Sequence, residues 1–526
     1  MARFNTEPTA KRARKSGGDT VNLAGGQAFS LSQKEELVGI LLTSFLNDQF
    51  YRTGNDTMNR IVTLIEKGDK EFAAKAAVYA RNVFGMRSVS HVVAGEIARL
   101  VKGEQWTAPF FNTVVFRPDD MFETISYYAA KYGQQKVRAR TKGNHEERKV
   151  VRAIPNALKK GFREAIGRFD SYQLAKYRGE GKEFTLVDLV NILRPTPTDK
   201  NREALTLLMK GDLRSTDTWE SMLTRAGQQA ENAEDLANLK ENAWTELILT
   251  RKLGYFALLR NLRNISKQAP KVVKAAVAML KDERLIKKSK VLPFRYYTAY
   301  KELESEVSMD ILMAISEALA ISCENVPTFE GKTLIVVDDS GSMTSCRVNG
   351  RQNTRAYEKS GNTCAEIGAL MASVLARANP DADVMMFNTS ARYVHLPVDG
   401  GLISNIKTMA SKFNGGGTDH NSIFRAMNKA YDRIVIMSDE QGWAGHYSPS
   451  GRNGSFDQYK KKYSCNPFVY SIDLQGYGTS QFDPMAQKVF LLHGFSDKIF
   501  DIMKLMEADK RAMIAEIEKI QFIQAE

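Results

Sequence analysis

Two stretches in the second half of the chain carry oxygen ligands at spacings that suit a hard cation. Asp338-Asp339-Ser340-Gly341-Ser342 follows the apolar run Thr333–Val337, so a carboxylate and two hydroxyls alternate where a strand gives way to its loop. Gly415-Gly416-Gly417-Thr418-Asp419 adds a hydroxyl on a glycine-rich loop, and a second apolar run, Ile434–Met437, leads into Ser438-Asp439. Asp338, Ser340, Ser342, Thr418 and Asp439 together offer only hard oxygen donors. Such a set suits a small divalent cation, Mg²⁺ above all, which takes oxygen ligands and keeps several waters. Asp339, His420 and Glu440 are neighbours of these residues and are not assigned as ligands.

Other chemistries are poorly served. A phosphohydrolase would want a second acid two residues after Asp338, where the chain has Ser340. No G-x-x-x-x-G-K-[ST] occurs, so there is no P-loop. The six histidines lack metal-ligand spacing, and no Ser-His-Asp or Cys-His arrangement can be argued. Cys323, Cys346, Cys364 and Cys465 form no C-x-x-C pair, which points to a reducing, cytoplasmic setting rather than a disulfide framework or a zinc site. The chain reads as a non-enzyme.

The cation residues need strands to place them. Thr333–Val337, Val384–Phe387, Arg433–Met437, Phe468–Ile472 and Lys488–Leu492 are short apolar or β-branched runs separated by helical segments. That alternation predicts a doubly wound α/β domain with its site at the carboxyl ends of the strands. Before residue 330 the pattern is helical. Ser32-Gln33-Lys34-Glu35 is a capping box ahead of Leu37, Val38, Leu41, Leu42 and Phe45. Thr185-Leu186-Val187-Asp188 starts a helix that Pro195 stops. Further helices are predicted over 56–84, 156–168, 200–210, 235–250, 251–265, 270–280 and 308–321, with almost no strand pattern among them. The fold class is thus α plus α/β. Its segments are a flexible basic N-terminus (1–21), a helical domain (22–321), a linker (322–331) and the α/β domain (332–526).

Charge divides the same way. Of 526 residues, 74 are Lys or Arg and 61 Asp or Glu, a net of +13. Residues 1–300 carry +18 and residues 301–526 carry −5. A basic half beside an acidic half points to a polyanionic partner. Residues 131–178 hold 14 basic and 4 acidic side chains: Lys136, Arg138, Arg140, Lys142, Arg148, Lys149, Arg152, Lys159, Lys160, Arg163, Arg168, Lys176 and Arg178 are the candidates for phosphate contact. Phe169, Tyr172 and Tyr177 are interleaved and could stack on unpaired bases, although most of these aromatics would be expected to face the core. A second block, 251–300, holds 13 basic and 2 acidic side chains. No apolar run is long enough to cross a membrane, and the N-terminus lacks a secretory signal pattern.

With these residues in view, D-x-S-x-S at Asp338, Ser340 and Ser342, followed by Thr418 and Asp439, resembles the metal-ion-dependent adhesion site (MIDAS) of von Willebrand factor A domains. The resemblance implies that Ser340, Ser342 and Thr418 meet the cation directly or nearly so, while Asp338 and Asp439 hold it through waters. A helical half ahead of such a domain resembles the TROVE-module proteins, specifically the Ro ribonucleoprotein branch. Asn22-Leu23-Ala24-Gly25-Gly26-Gln27-Ala28-Phe29 is similar to the opening of that module, Tyr255-Phe256-Ala257-Leu258-Leu259-Arg260-Asn261-Leu262 to one of its helices, and Arg284–Phe294 to the basic turn that follows. The resemblance covers about 22–510. It implies a ring of HEAT-like repeats closed by the A domain. Small structured RNAs (Y RNA-like) would bind the outer surface, and single-stranded 3′ ends of defective RNA would pass through the central hole. Arg81, Arg87, His91, Arg260, Arg263 and Lys267 would be hole-lining candidates. A 3′-exonuclease such as polynucleotide phosphorylase would be a partner of the monomer. Lys176-Tyr177-Arg178 matches a Lys-Tyr-Lys pattern of the family, but Ile192 stands where the family has histidine before Leu193-Arg194-Pro195. The competing reading is a Mg²⁺-dependent protein-interaction adaptor acting through the A domain.

Overall fold

A computed structural model describes residues 18–523 apart from 133, 142–143, 152, 214–217, 325, 349–360, 398–399, 446–447 and 451–453; over 134–151 it describes backbone alone. The basic run at 11–15 lies outside the described residues. Two compact units result. One comprises residues to Thr57 together with Ile248–Ala515, the other Met58–Leu247 with the carboxyl-terminal residues from Glu516.

The first unit is built on a six-stranded sheet. In spatial order its strands are Val489–His493, Phe468–Asp473, Arg433–Ser438, Thr333–Asp338, Asp383–Phe387 and Ala391–Tyr393. The first five run parallel, and Ala391–Tyr393 closes the edge antiparallel. The apolar runs become strands because both sheet faces are covered: Leu334, Val336, Ile434 and Ile436 are fully buried on one face, and Ile335, Val337, Val435 and Met437 on the other. Chain order reverses at Thr333–Asp338, whose neighbours are later strands on either side. That reversal opens a crevice at the carboxyl ends of the strands. The five expected strands appear within a residue or so, and this sheet adds the edge strand Ala391–Tyr393.

Residues 18–57 join this unit, not the helical domain in which the sequence places most of them. Thr20–Val21 pairs with Gln27–Ser30, which in turn pairs antiparallel with Thr479–Ser480. The Asn22 side chain donates to the Gly442 carbonyl at 2.7 Å, and Gln441 Oε1 accepts from the Leu23 amide at 2.8 Å. A Cβ on Gly26 would fall 1.9 Å from the Gly442 oxygen, so only glycine permits this approach. The predicted capping box at Ser32 and Glu35 forms and opens helix Gln33–Thr43. Helices between Tyr255 and Ile321 complete the unit.

The second unit is a stack of helices. The predicted 56–84 segment is two helices, Gly54–Lys67 and Lys70–Asn82, because Asp69 caps a new start by accepting from the Glu71 and Phe72 amides. Asn156–Gly167, Leu186–Leu193, Arg202–Lys210 and Ala233–Leu249 follow the predicted bounds closely. Two buried carboxylates fix its interior. Asp120 takes a bidentate contact from Arg81, with Nε and Nη2 to Oδ2 at 3.1 and 2.9 Å, while His91 Nε2 lies 2.9 Å from Oδ1. Glu96 accepts from the Tyr127 and Tyr132 hydroxyls and from Lys131 and Arg99. Phe522 stacks on Trp106 at 6.0 Å between ring centroids, which seats the carboxyl-terminal segment on this unit.

The all-helical expectation fails at one place in this unit. Gln134–Thr141 and Asn144–Val151 form an antiparallel hairpin with Lys136 opposite Lys149, Arg138 opposite Glu147 and Arg140 opposite His145. The physical reason is a two-residue alternation that charged side chains disguise. Val137 and Ala139 lie between basic residues, so no apolar face signals a strand. Among the described residues no helix is long and apolar enough to cross a membrane.

Candidate functional site

Asp338, Ser340, Ser342 and Asp439 come together at the crevice, and Thr418 lies on a loop bonded to them. Asp338 ends its strand, Ser340 caps the short helix Gly341–Ser345, and Ser342 lies on that helix. Asp439 follows the adjacent strand Arg433–Ser438. Thr418 arrives on the glycine loop, which is pinned by the Gly341 amide donating to the Gly416 carbonyl at 2.8 Å. Gly415 and Gly416 both have positive φ, +67° and +97°, and this turn is why the loop is glycine-rich. All five side chains are buried.

Their orientation is fixed by hydrogen bonds. Asp338 Oδ1 accepts from the Ser340 amide at 2.9 Å, and Oδ2 accepts from the Ser438 hydroxyl at 2.6 Å. Ser340 Oγ and Ser342 Oγ lie 3.3 Å apart. Asp439 Oδ1 accepts from the Gln441 amide at 3.1 Å. The Thr418 carbonyl accepts from the Trp443 and Ala444 amides at 2.9 and 3.1 Å, so the loops bearing Thr418 and Asp439 hold each other.

Burial, and then the charge of Asp439, pushes the Asp338 carboxyl well above the ordinary carboxylate range. Burial pushes Asp439 up to about 6, against the opposing pull of a hydrogen bond from the Ser342 hydroxyl. Two carboxyls gathered at such electrostatic cost, beside three hydroxyls, are what a divalent cation would relieve. Among the described residues no three His, Cys, Asp or Glu side chains gather as a metal cluster. The donor set is therefore hydroxyl-rich and hard, which fits Mg²⁺ with waters better than zinc.

The neighbours left unassigned are engaged elsewhere. Asp339 pairs with Arg392 at 2.6 Å and accepts from the Asn414 amide at 2.9 Å. Glu440 is held by Gln481 N and by the Ser471 and Ser480 hydroxyls, and burial raises it to about 7. His420 is fully enclosed and lowered by burial to about 3, so it is neutral. Sequence reasoning missed Tyr51. Its hydroxyl hydrogen-bonds Ser342 while burial and Asp439 raise the phenol. Nothing local to Tyr51 signals this, because the contact is made by folding residues 18–57 onto the sheet.

The basic candidates separate into distinct groups. Lys159, Lys160, Arg163 and Arg168 border a cavity of about 1210 Å³ on helix Asn156–Gly167. Arg163 Nε donates to the Leu193 carbonyl at 2.7 Å, and Arg168 donates to the Asn112 and Val115 carbonyls at 2.6 and 2.8 Å. Those two arginines thus also brace the helices. Burial lowers the Arg168 guanidinium, with no carboxylate to offset it. Among the described residues neither Lys159 nor Lys160 forms an ion pair, although Glu104 and Glu164 line the same cavity. Lys176 and Arg178 border a second cavity of about 740 Å³. Lys176 lies over the Tyr172 and Tyr177 rings at 5.8 and 5.9 Å, and Arg178 pairs with Glu180 at 2.7 Å. Of the three interleaved aromatics, Phe169 is buried and Tyr172 is 44% exposed. Lys136, Arg138, Arg140, Arg148 and Lys149 lie on the hairpin backbone, and Lys142 and Arg152 lie outside the described residues.

The hole-lining candidates fare unequally. Arg81 is 5% exposed and bound to Asp120, so it is a core residue and offers no free guanidinium. Arg87 pairs with Asp119 at 2.6 Å, and His91 with Asp120. Arg263 and Lys267 both reach Glu306, at 3.7 and 2.6 Å. Arg260 is exposed and lies over the Phe256 ring at 5.8 Å, with Arg295 at 6.0 Å from the same ring. Phe256, 41% exposed, was not singled out from sequence, although an aromatic four residues before an arginine on one helix face is a readable signal.

Comparison with known proteins places this architecture. The Ro60 vWA domain model matches residues 332–506, and the TROVE domain model matches 37–235 and 195–358. Telomerase protein component 1 of Mus musculus is 22% identical over 307 residues, covering 45% of this chain and 11% of that protein. RNA-binding protein RO60 of Deinococcus radiodurans is 25% identical over 269 residues, 48% of each chain. The chain therefore spans about half or less of the length of these curated relatives. The crystal structure of the Deinococcus radiodurans RO (RSR) protein superposes with a TM-score of 0.52 at 16% identity, over 92% of this chain and 99% of that one, a likeness of fold. The TROVE model accounts for more than half of the sequence, and its match runs into that of the Ro60-type A domain. The chain therefore belongs to the TROVE family.

Proposed function

We propose that this chain is a non-catalytic, cytoplasmic RNA-binding protein of the Ro type, acting in RNA quality control. A small structured RNA of the Y RNA kind lies on the basic outer surface. Single-stranded 3′ ends of misfolded RNA enter the opening that the family's rings possess. The carrying observation is the cavity of about 1210 Å³ beside Lys159 and Lys160, whose ammonium groups form no ion pair among the described residues, with Arg168 held by carbonyls alone. Four cations against the two carboxylates Glu104 and Glu164 leave this concave lining net positive, which suits phosphates, whose bound counterions are released on contact. Tyr172 and Phe256 supply exposed rings for unpaired bases. RO60 of Deinococcus radiodurans is named an RNA-binding protein, which supports the same reading.

The A domain would hold Mg²⁺ through Ser340, Ser342 and Thr418, with Asp338 and Asp439 acting through waters. The cation would supply an electrophilic position for an acidic group of a partner, for which a 3′-exonuclease is the candidate. A labelled hairpin with a single-stranded 3′ tail, titrated with the protein at several salt concentrations, tests the RNA reading. Binding should weaken steeply with salt. Weak binding at every salt concentration would favour an A-domain adaptor that depends on Mg²⁺.

A further inference from the structure

Cys346 and Cys364 face each other across a two-stranded ladder. Arg347 pairs with Thr363 and Val348 with Asn362, antiparallel. That register sets Cys346 opposite Cys364, and the Cys364 amide donates to the Cys346 carbonyl at 3.0 Å. Directly opposed residues of such a pair have Cα atoms about 4.5–5.5 Å apart, inside the roughly 4.4–6.8 Å that a disulfide spans. Both thiols are free.

The side chains meet as well. Cys346 Sγ donates to Gln475 Oε1 at 3.3 Å, and Gln475 Nε2 donates to Cys364 Sγ. Gln475 thus bridges the two thiols. Cys346 is 7% exposed and Cys364 is fully buried, so a small oxidant meets Cys346 first.

We propose that Cys346 and Cys364 form a redox modification site, converted by hydrogen peroxide to an intramolecular disulfide. The Cys346 thiolate attacks the peroxide O–O bond, giving a sulfenic acid and releasing water once the leaving oxygen is protonated. The Cys364 sulfur then displaces the sulfenic hydroxyl as a second water, and the S–S bond forms. Two thiols and one hydrogen peroxide give one disulfide and two waters. The Cys346 amide caps helix Gly341–Ser345 by donating to the Ser342 carbonyl at 3.0 Å, and Cys364 opens helix Cys364–Ala378. The bond therefore ties the end of the helix bearing Ser342 to the start of the next one, and it strips Gln475 of both thiol partners.

Trypsin separates the two cysteines, because Arg347, Arg351, Arg355 and Lys359 lie between them. The folded chain is treated with hydrogen peroxide, its fold checked by circular dichroism, free thiols blocked, and the digest mapped without reductant. A link between Thr333–Arg347 and Ser360–Arg377, about 2 Da lighter than the two peptides together and lost on reduction, is the expected result. In Cys364→Ser, dimedone should label Cys346 as the trapped sulfenic acid. Three outcomes would overturn the proposal: both thiols remaining alkylatable, Cys346 passing to sulfinic acid without the link, or a link to Cys323 or Cys465. The wild-type map decides even if the variant does not fold.

Discussion

The Ser438 hydroxyl donates to Asp338 Oδ2 at 2.6 Å across one hundred residues of sequence. The contact joins the ends of two paired strands and, with the Ser340 amide on Oδ1, leaves the Asp338 carboxylate a single orientation. Ser438 is not a proposed ligand. It orients one, and outer partners of this kind tune affinity by about 10–100-fold. Ser438→Ala should weaken Mg²⁺ binding about 10-fold by calorimetry, while Asp338→Asn should remove detectable binding. Unchanged Mg²⁺ affinity in both variants would mean that the cation is not held here.

Stability should depend on pH through Asp439. Its carboxyl titrates at about 6 in the folded chain, against about 3.9 when unfolded. The folded form thus binds this proton more tightly. Without metal, the group's contribution to stability is fully present below its unfolded value and is lost as pH rises through about 6. Mg²⁺ requires the carboxylate, so its stabilising effect should grow over the same window. Thermal melts from about pH 5 to 7.5, with and without Mg²⁺, check both halves. A Mg²⁺ effect that does not vary with pH would contradict the assignment.

Asp120 titrates in the opposite sense. Burial alone would raise it, but the His91 hydrogen bond and the Arg81 charge outweigh burial and hold it far below the usual carboxylate range. Its contribution is present above the unfolded value and is lost as pH falls through the folded one. Arg81 and Asp120 are 5% and 2% exposed, so Asp120→Ala strands a buried guanidinium and should cost about 3–5 kcal/mol by denaturant unfolding. Arg81 therefore belongs to the stability of the helical unit, and RNA affinity at equal folded fraction should not depend on it.

The arginines and lysines of helix Asn156–Gly167 and its cap should part company. Arg168→Ala removes two carbonyl partners and should lower the melting temperature by several degrees, about 1–3 kcal/mol for the bonds lost. Lys160→Ala should leave the melting temperature unchanged and weaken RNA binding. Equal melting shifts for both would erase this division.

What was legible in the sequence follows from range. Thr333–Val337 and its four sister runs announced themselves because strands buried on both faces are continuously apolar, and Asp338, Ser340 and Ser342 sit within five residues. The capping residues Ser32, Thr185 and their partners are equally local. Tyr51 beside Ser342, and Asn22 on Gly442, are contacts between residues hundreds of positions apart, as is the pairing of Gln27–Ser30 with Thr479–Ser480. The 134–151 hairpin was hidden by its charges. Net charge located a basic region but could not show that Arg81 is buried, or that Arg163 and Arg168 spend donors on carbonyls.

The most direct test of RNA recognition compares a hairpin carrying a single-stranded 3′ tail with the same hairpin lacking it. Both are titrated against the wild type and a Lys159→Glu/Lys160→Glu variant over a salt series. The variant spares Arg163 and Arg168, and with them the carbonyl contacts that brace the helices. Tail-dependent binding by the wild type is predicted, with a salt slope that flattens by about 2 in the variant, one for each lost phosphate contact. Equal, weak binding of both RNAs by both proteins would contradict recognition through this surface.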